Sequence, residues 1–229
     1  MTHLLIWLMA CGGSQPEPAP SEAPPSTAVE TPPAPAPVAP SEPLTLTGTA
    51  GRSMDPDNPD AQLAGASMTW YPVVHASSTL DSEDGRYGPE KLVDKKPVTA
   101  WVEGAEGAGT GQKLELFPED SIAWPTELAM IPGMAASEER WSEFTRPKTV
   151  ALHLHSELTV GVATAKLHHK VVLEVEQDHP ALKPVFFATG PLCEALHTCR
   201  AAVKKLELEV LEVWPGSRED LAISELVLY

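Results

Sequence analysis

Four histidines sit close together in the second half of the chain: His153 and His155 in "HLH", and His168 with His169 in "LHHK". Side chains two residues apart on a strand leave from the same face, so His153 and His155 offer two imidazoles that can hold a transition metal if a third ligand converges. The same spacing also arises where polar residues alternate along the wet face of a sheet. Trp124 in "SIAWPTE" and Trp141 in "ASEERWSEFTR" stand in loop-like surroundings, with Glu139, Arg140 and Arg146 nearby. A flat aromatic face beside hydrogen-bonding side chains is the chemistry of saccharide recognition, and the same indoles can equally serve as lids on a core. The glycine-rich "GAEGAGTGQK" lacks the Gly-Lys-Ser/Thr ending and the following helix of a phosphate loop, so it reads as a long hairpin connection. No Gly-x-Ser-x-Gly elbow, His-Glu-x-x-His helix or paired Cys-x-x-Cys set occurs. The expectation is a non-catalytic protein, with an enzyme built on the histidines as the remote alternative.

The elements that must carry these residues alternate with period two. "KLELF" at 113–117, "VALHLH" at 150–155, "LTVGVA" at 158–163, "KVVLEVE" at 170–176, "PVFFAT" at 184–189, "KKLELEVLEV" at 204–213 and "ISELVLY" at 223–229 all read as strands. In "KKLELEV" Leu206, Leu208 and Val210 share one face while Glu207 and Glu209 share the other, the pattern of an antiparallel strand with one wet side. Pro-Gly pairs at 132 and 215 punctuate the run, and no long amphipathic helix is evident. These features predict an all-β fold, a β-sandwich, over residues 67–229.

Composition divides the chain. More than half of the 24 prolines precede position 61, where large apolar residues are sparse, so residues 12–66 read as a disordered Pro/Ala/Glu-rich linker. The remainder has the apolar content for a core, with 42% hydrophobic residues and six Trp overall. A net charge of −16 without a basic stripe excludes nucleic acid as a partner, because backbone binding needs clustered Lys and Arg.

The N-terminus "MTHLLIWLMACGG" is too short to span a bilayer and resembles a bacterial lipoprotein signal. "LMAC" is similar to a lipobox, with Leu8, the small Ala10 and Cys11 as the residue that takes lipid, so residues 1–11 are assigned to a signal ending in a lipidated cysteine. Gly12 in place of an aspartate implies the outer membrane. The resemblance places the protein in a bacterial cell envelope, held to the membrane by a lipid anchor; a chance apolar N-terminus on a cytosolic protein is the alternative. With Cys11 lipidated, Cys193 and Cys199 remain as an even pair in an oxidising compartment and are expected to form a disulfide, with two free thiols or a partial metal site with His197 as the other readings.

Both ends of the folded region carry a family resemblance. "YGPEKLVDKKPVTAWVEG", the following "AEGAGTGQKLELF", "IPG", "RPKTVALHL" and the closing "VWPGSREDLAISELVLY" resemble the discoidin-like domain of the NAD glycohydrolase-type glycan-binding and translocation family. The resemblance covers residues 67–229 and implies a galactose-binding-like jelly-roll β-sandwich with Trp101 in its core. Reading Thr99, Trp101 and Glu103 as the start of a strand leads to the same position for the indole. Many such domains hold a structural calcium through an Asp and a Thr of this loop and a Glu of the closing strand, which here are Asp94, Thr99 and Glu225. Lys95 and Lys96 stand where a Gly and a small polar residue commonly follow the Asp. The expected function is non-catalytic binding of a glycan or another cell-envelope component, with ligand contacts from Trp124, Trp141, Arg140 and Arg146. A scaffold that binds a protein partner is the second reading. The domain that cleaves NAD in such toxins has no counterpart in this sequence.

Overall fold

The computed structural model describes residues 44–50 and 73–229. Cys11, expected to take lipid, and most of the 12–66 stretch read as linker lie outside the described residues. Two sheets face each other. The six-stranded sheet runs β1-β8-β7-β10-β5-β3 and the five-stranded sheet β2-β9-β6-β11-β4, with strands β1 Leu44–Thr47, β2 Thr49–Ala50, β3 Val73–Ala76, β4 Trp101–Val102, β5 Lys113–Phe117, β6 Glu127–Pro132, β7 Arg146–Val160, β8 Ala163–Glu174, β9 Val185–Ala188, β10 Ala202–Trp214 and β11 Ala222–Leu228. A 3-10 turn, Pro89–Val93, and two short helices, α1 Glu138–Glu143 and α2 Gly190–Ala195, fill the connections. The expected all-β jelly-roll sandwich is the fold observed.

Alternation explains the six-stranded sheet. Leu206, Leu208 and Val210 of β10 are buried, while Glu207 and Glu209 between them face outward. β10 pairs antiparallel with both β7 and β5, Leu208 opposite Leu152 and Leu114, which stacks the apolar faces in register. Lys205 bridges Glu115 at 2.8 Å and Glu207 at 3.0 Å on the outer face, and Lys113 reaches Glu207 at 3.2 Å. Burial raises the Glu207 carboxyl, but hydrogen bonds from Lys205 and Lys113 outweigh it and hold the group down at about 2.

β11 lies between β4 and β6, and all seven of its residues are buried. One face joins the main core with Leu226 and Leu228, and Ala222 belongs to a second cluster with Ala100, Val102, Met134 and Phe144. Ala222 pairs with Val102 and Ile223 with Trp101, so the end of the chain clamps the segment around the TAW motif. Trp101 is fully buried, and its indole N–H donates to the Ser78 carbonyl at 3.1 Å. The indole is a core residue, as expected.

Three features differ from the sequence reading. Residues 44–50, read as linker, form strands: β1 pairs parallel with β8, β2 pairs antiparallel with β9, and Leu46 packs on the core. "LTLT" alternates, and a four-residue alternation was hidden by its proline-rich surroundings. "LTVGVA" is no strand of its own but the end of one long hairpin, in which Val160 pairs with Ala163 around Gly161 at φ +62°. β6 escaped detection because it is apolar at every position after Glu127 and shows no alternation.

Cys193 and Cys199 form a disulfide, closing α2 onto the following turn, with Cys193 in the main core. Removing the Trp101 ring leaves a void between the sheets, so Trp101→Ala is expected to cost about 3–5 kcal/mol in urea unfolding. Opening the small disulfide loop with Cys199→Ser is expected to cost about 2 kcal/mol, read as a lower urea midpoint at unchanged m value.

Candidate functional site

The three residues nominated for calcium do meet. Asp94 ends the 3-10 turn, Thr99 lies five residues on, and Glu225 comes from β11. Thr99 Oγ1 lies 2.9 Å from both Asp94 carboxylate oxygens, and the Lys96 amide donates to Asp94 Oδ1 at 2.9 Å. The Lys95 amide donates to Glu225 Oε1 at 3.3 Å. Lys95 adopts φ +61°, the left-handed region that suits glycine, so the turn keeps the shape of a Gly position while carrying a long cationic side chain. Glu225 is 1% exposed, and its Oε2 has no hydrogen-bond partner. Burial first, then the charge of Asp94, pushes its carboxyl from 4.5 up to about 8, while the Lys95 and Lys96 amides and the Lys95 charge act in the opposite direction.

Asp94, Thr99 and Glu225 thus bring carboxylate and hydroxyl oxygens to one loop. Calcium takes six to eight oxygens, and the loop aims amide N–H groups at both carboxylates. Among the described residues no three His, Cys, Asp or Glu side chains converge to hold a metal ion. Lys95 brings positive charge to the loop, which opposes the rise that burial and Asp94 impose on the Glu225 carboxyl.

Around this loop lies a cleft of about 190 Å³ lined by Arg86, Tyr87, Val98, Thr99, Met134 and Arg140, among others. Ala100 and Met134 in its lining belong to a small apolar cluster with Val102, Phe144 and Ala222, on which Leu80 and Tyr87 also pack. Arg86 is held by Asp84, with Nε 2.9 Å from Oδ1 and Nη2 2.7 Å from Oδ2. Arg140 sits in α1, where the Ser137 hydroxyl caps its amide at 3.1 Å, and its Nη1 donates to Glu143 at 3.0 Å. The cleft combines one phenol ring, one hydroxyl and two guanidinium groups with apolar side chains. Such a surface is suited to orienting a small polar ligand.

The other nominated ligand residues fare differently. Arg140 lines the cleft. Trp124 is 5% exposed, its indole N–H donates to the Thr189 carbonyl at 3.2 Å, and its edge meets His169. It is a lid on the core and not a binding platform, because the sandwich needs a large ring to close over α2 and β8. Trp141 is half-buried with Arg146 laid across it, 3.6 Å from guanidinium carbon to ring centroid. Gly133, at φ +78°, lets both approach, since a Cβ there would lie 2.9 Å from Arg146 Cγ. One Trp141 face is thus occupied by the protein's own cation, and Arg146 Nη1 donates to the Trp141 carbonyl. Arg86 and Tyr87 were missed in the sequence; their signal was an adjacent cation and phenol inside the turn "DGRYGP".

The histidines split between two faces. His153, His155 and His168 meet on the outer face of β7 and β8, with His153 Nδ1 3.0 Å from His168 Nε2 and Glu209 3.6 Å from His153 Nε2. His169 turns inward to Trp124. Burial lowers the pKa of His153 and His155, which keeps both neutral.

Two facing sheets of this topology, with the TAW motif packed under the last strand, form a discoidin-like β-sandwich. Residues 67–229 match the NAD glycohydrolase translocation F5/8 type C domain, and the chain belongs to that family. Its fold is similar to the CBM32-1 and CBM32-2 domains of Clostridium perfringens ZmpB in complex with GalNAc, at 12% identity and a TM-score of 0.47, over 82% of this chain and 40% of that one. It is also similar to an F5/8 type C domain from Bacteroides fragilis, at 14% identity and a TM-score of 0.45, over 70% of this chain and 95% of that one. A third similar structure is the Clostridium perfringens CBM32-5 module in complex with GalNAc-β-1,3-galactose, at 14% identity and a TM-score of 0.44, over 69% and 95% of the two chains. The chain thus spans less than half of the ZmpB fragment. No curated protein matches it.

Glu225 gives the site a pH signature. The unfolded chain releases this proton near 4.5 and the folded chain near 8, so stability falls as pH rises through that window and levels off above it. Glu225→Gln is expected to flatten this part of the pH dependence and to raise stability at pH 8 by on the order of 3 kcal/mol. Millimolar calcium is expected to leave the melting temperature of the parent protein where EDTA leaves it; a calcium-dependent rise absent from the Gln variant would restore a cation to this loop.

Proposed function

We propose that the protein is a non-catalytic envelope lipoprotein whose discoidin-like domain binds carbohydrate at the cleft of Arg86, Tyr87, Thr99 and Arg140. The observation that carries this reading is the cleft itself, an aromatic ring and convergent hydrogen-bonding groups beside apolar side chains on loops of a rigid sandwich. Membership of the F5/8 type C family supports it. Lipidation at Cys11 and an outer-membrane location rest on the "LMAC" pattern and the proline-rich stretch that follows. Recognition is reversible, weak for one domain, and strengthened by many copies on one membrane.

Binding to a surface protein, the scaffold reading, is favoured by one separate feature. The β7–β8 hairpin ends in the exposed Val160 and Val162, at 70% and 106% of full exposure, beyond the last residue of β7 that β10 pairs, Glu157. An apolar tip of this kind suits a protein contact.

Glycan-array binding of the detergent-solubilised full chain separates the two. Ala136→Trp fills the cleft from its exposed rim without touching the core, and it is expected to reduce array signals at least tenfold at unchanged melting temperature. An array blank for every glycan, with a protein recovered by cross-linking that Val162→Lys abolishes, would overturn the carbohydrate reading in favour of the scaffold.

A further inference from the structure

We infer that the saccharide taken by this cleft carries an anionic group, read by the guanidinium groups of Arg86 and Arg140; the inference rests on the carbohydrate reading above and names its ligand class. The chain has 32 acidic against 16 basic residues, yet the cleft is lined by two arginines and by no Asp or Glu. An arginine is the side chain suited to a planar carboxylate or a sulfate ester, because its N–H fork matches two acceptor oxygens at once.

Both arginines are held ready without being used up. Asp84 engages Arg86 through Nε and Nη2, and Glu143 engages Arg140 through Nη1 alone, so the five N–H donors of each group are only partly occupied by these pairs. The acidic partners fix the direction of each fork from outside the cleft. They are exposed, the Arg86 and Asp84 side chains at 63% and 53%, and exposed pairs of this kind contribute little to stability, so their role is orientation. Beside the two cations stand the Thr99 hydroxyl, which reaches Asp94 and the Lys96 carbonyl, and the apolar Val98, 58% exposed. A pyranose ring can lie on Val98 and Tyr87 while its charged substituent faces the guanidinium pair.

Neutral sugars leave the N–H donors that Asp84 and Glu143 do not engage without an anionic acceptor, which is the physical basis for discrimination. Carboxylate and sulfate supply the same chemistry, and the test keeps them apart. Galacturonic acid, galactose 6-sulfate and galactose are titrated calorimetrically into the full chain in a non-ionic detergent, at low and at high NaCl. The expected result is at least tenfold tighter binding of one or both charged sugars than of galactose, with the margin shrinking as salt rises. Arg86→Gln and Arg140→Gln are each expected to remove most of that margin while the melting temperature stays put. Galactose bound as tightly as the charged sugars, a margin indifferent to both substitutions, or array hits confined to neutral glycans would overturn the inference and leave the carbohydrate reading intact. Silence from all three sugars together with a blank array would overturn both.

Discussion

Burial of the last strand on both faces is the constraint from which the rest of the structure follows. β11 sits between β4 and β6 and seals the main core with Leu226 and Leu228, and Ala222 closes the smaller cluster. A strand covered on both sides has its register fixed twice over, since a one-residue slip would exchange the two faces. That register pins Ile223 to Trp101 and so sets where the loop before Trp101 must run. Asp94, Thr99 and the cleft wall inherit their positions from this pairing, as does Glu225, which β11 carries into the loop from the opposite end of the sequence.

The loop brings two carboxylates, Asp94 and Glu225, close together. Two carboxylates brought together in a poorly hydrated place repel each other, and the repulsion can be relieved by a cation, by donors or by a proton. Here Thr99 and the Lys96 amide satisfy Asp94, the Lys95 amide satisfies one oxygen of Glu225, and a raised proton affinity removes the remaining charge. Lys95 in a left-handed conformation is the cost of keeping the turn's geometry with a charged residue in place of glycine.

Much of the fold was legible because alternation is a local signal. Leu206, Leu208 and Val210 against Glu207 and Glu209 revealed β10 without reference to any other part of the chain. β6 was hidden for the opposite reason: "LAMIP" is apolar at every position because both of its faces are covered, and period two vanishes when neither face is wet. β1 was hidden by its proline-rich flanks. The site was less legible than the fold. Asp94, Thr99 and Glu225 were found through family resemblance, since nothing local links position 94 to position 225. Trp124 misled because an indole in a loop reads identically whether its ring faces water or Thr189 and His169. Arg86 and Tyr87 gave only a dipeptide in a turn, and their value appears when Met134 and Arg140 are folded against them.

Net charge and local charge act over different distances, and this reconciles an acidic protein with a basic cleft. At physiological ionic strength the field of a surface charge decays over roughly 8 Å. The surplus of carboxylates therefore keeps copies of the protein apart and slows the approach of polyanions, but it contributes little inside a cleft whose own lining is cationic and partly apolar. A ligand presented as a short charged branch can enter that local field, whereas a uniformly charged polymer must first lie along the acidic surface. On the proposed reading this favours a terminal or isolated anionic sugar over a densely charged chain, with no residue added for exclusion, because the acids spread over the surface are the ones that exclude.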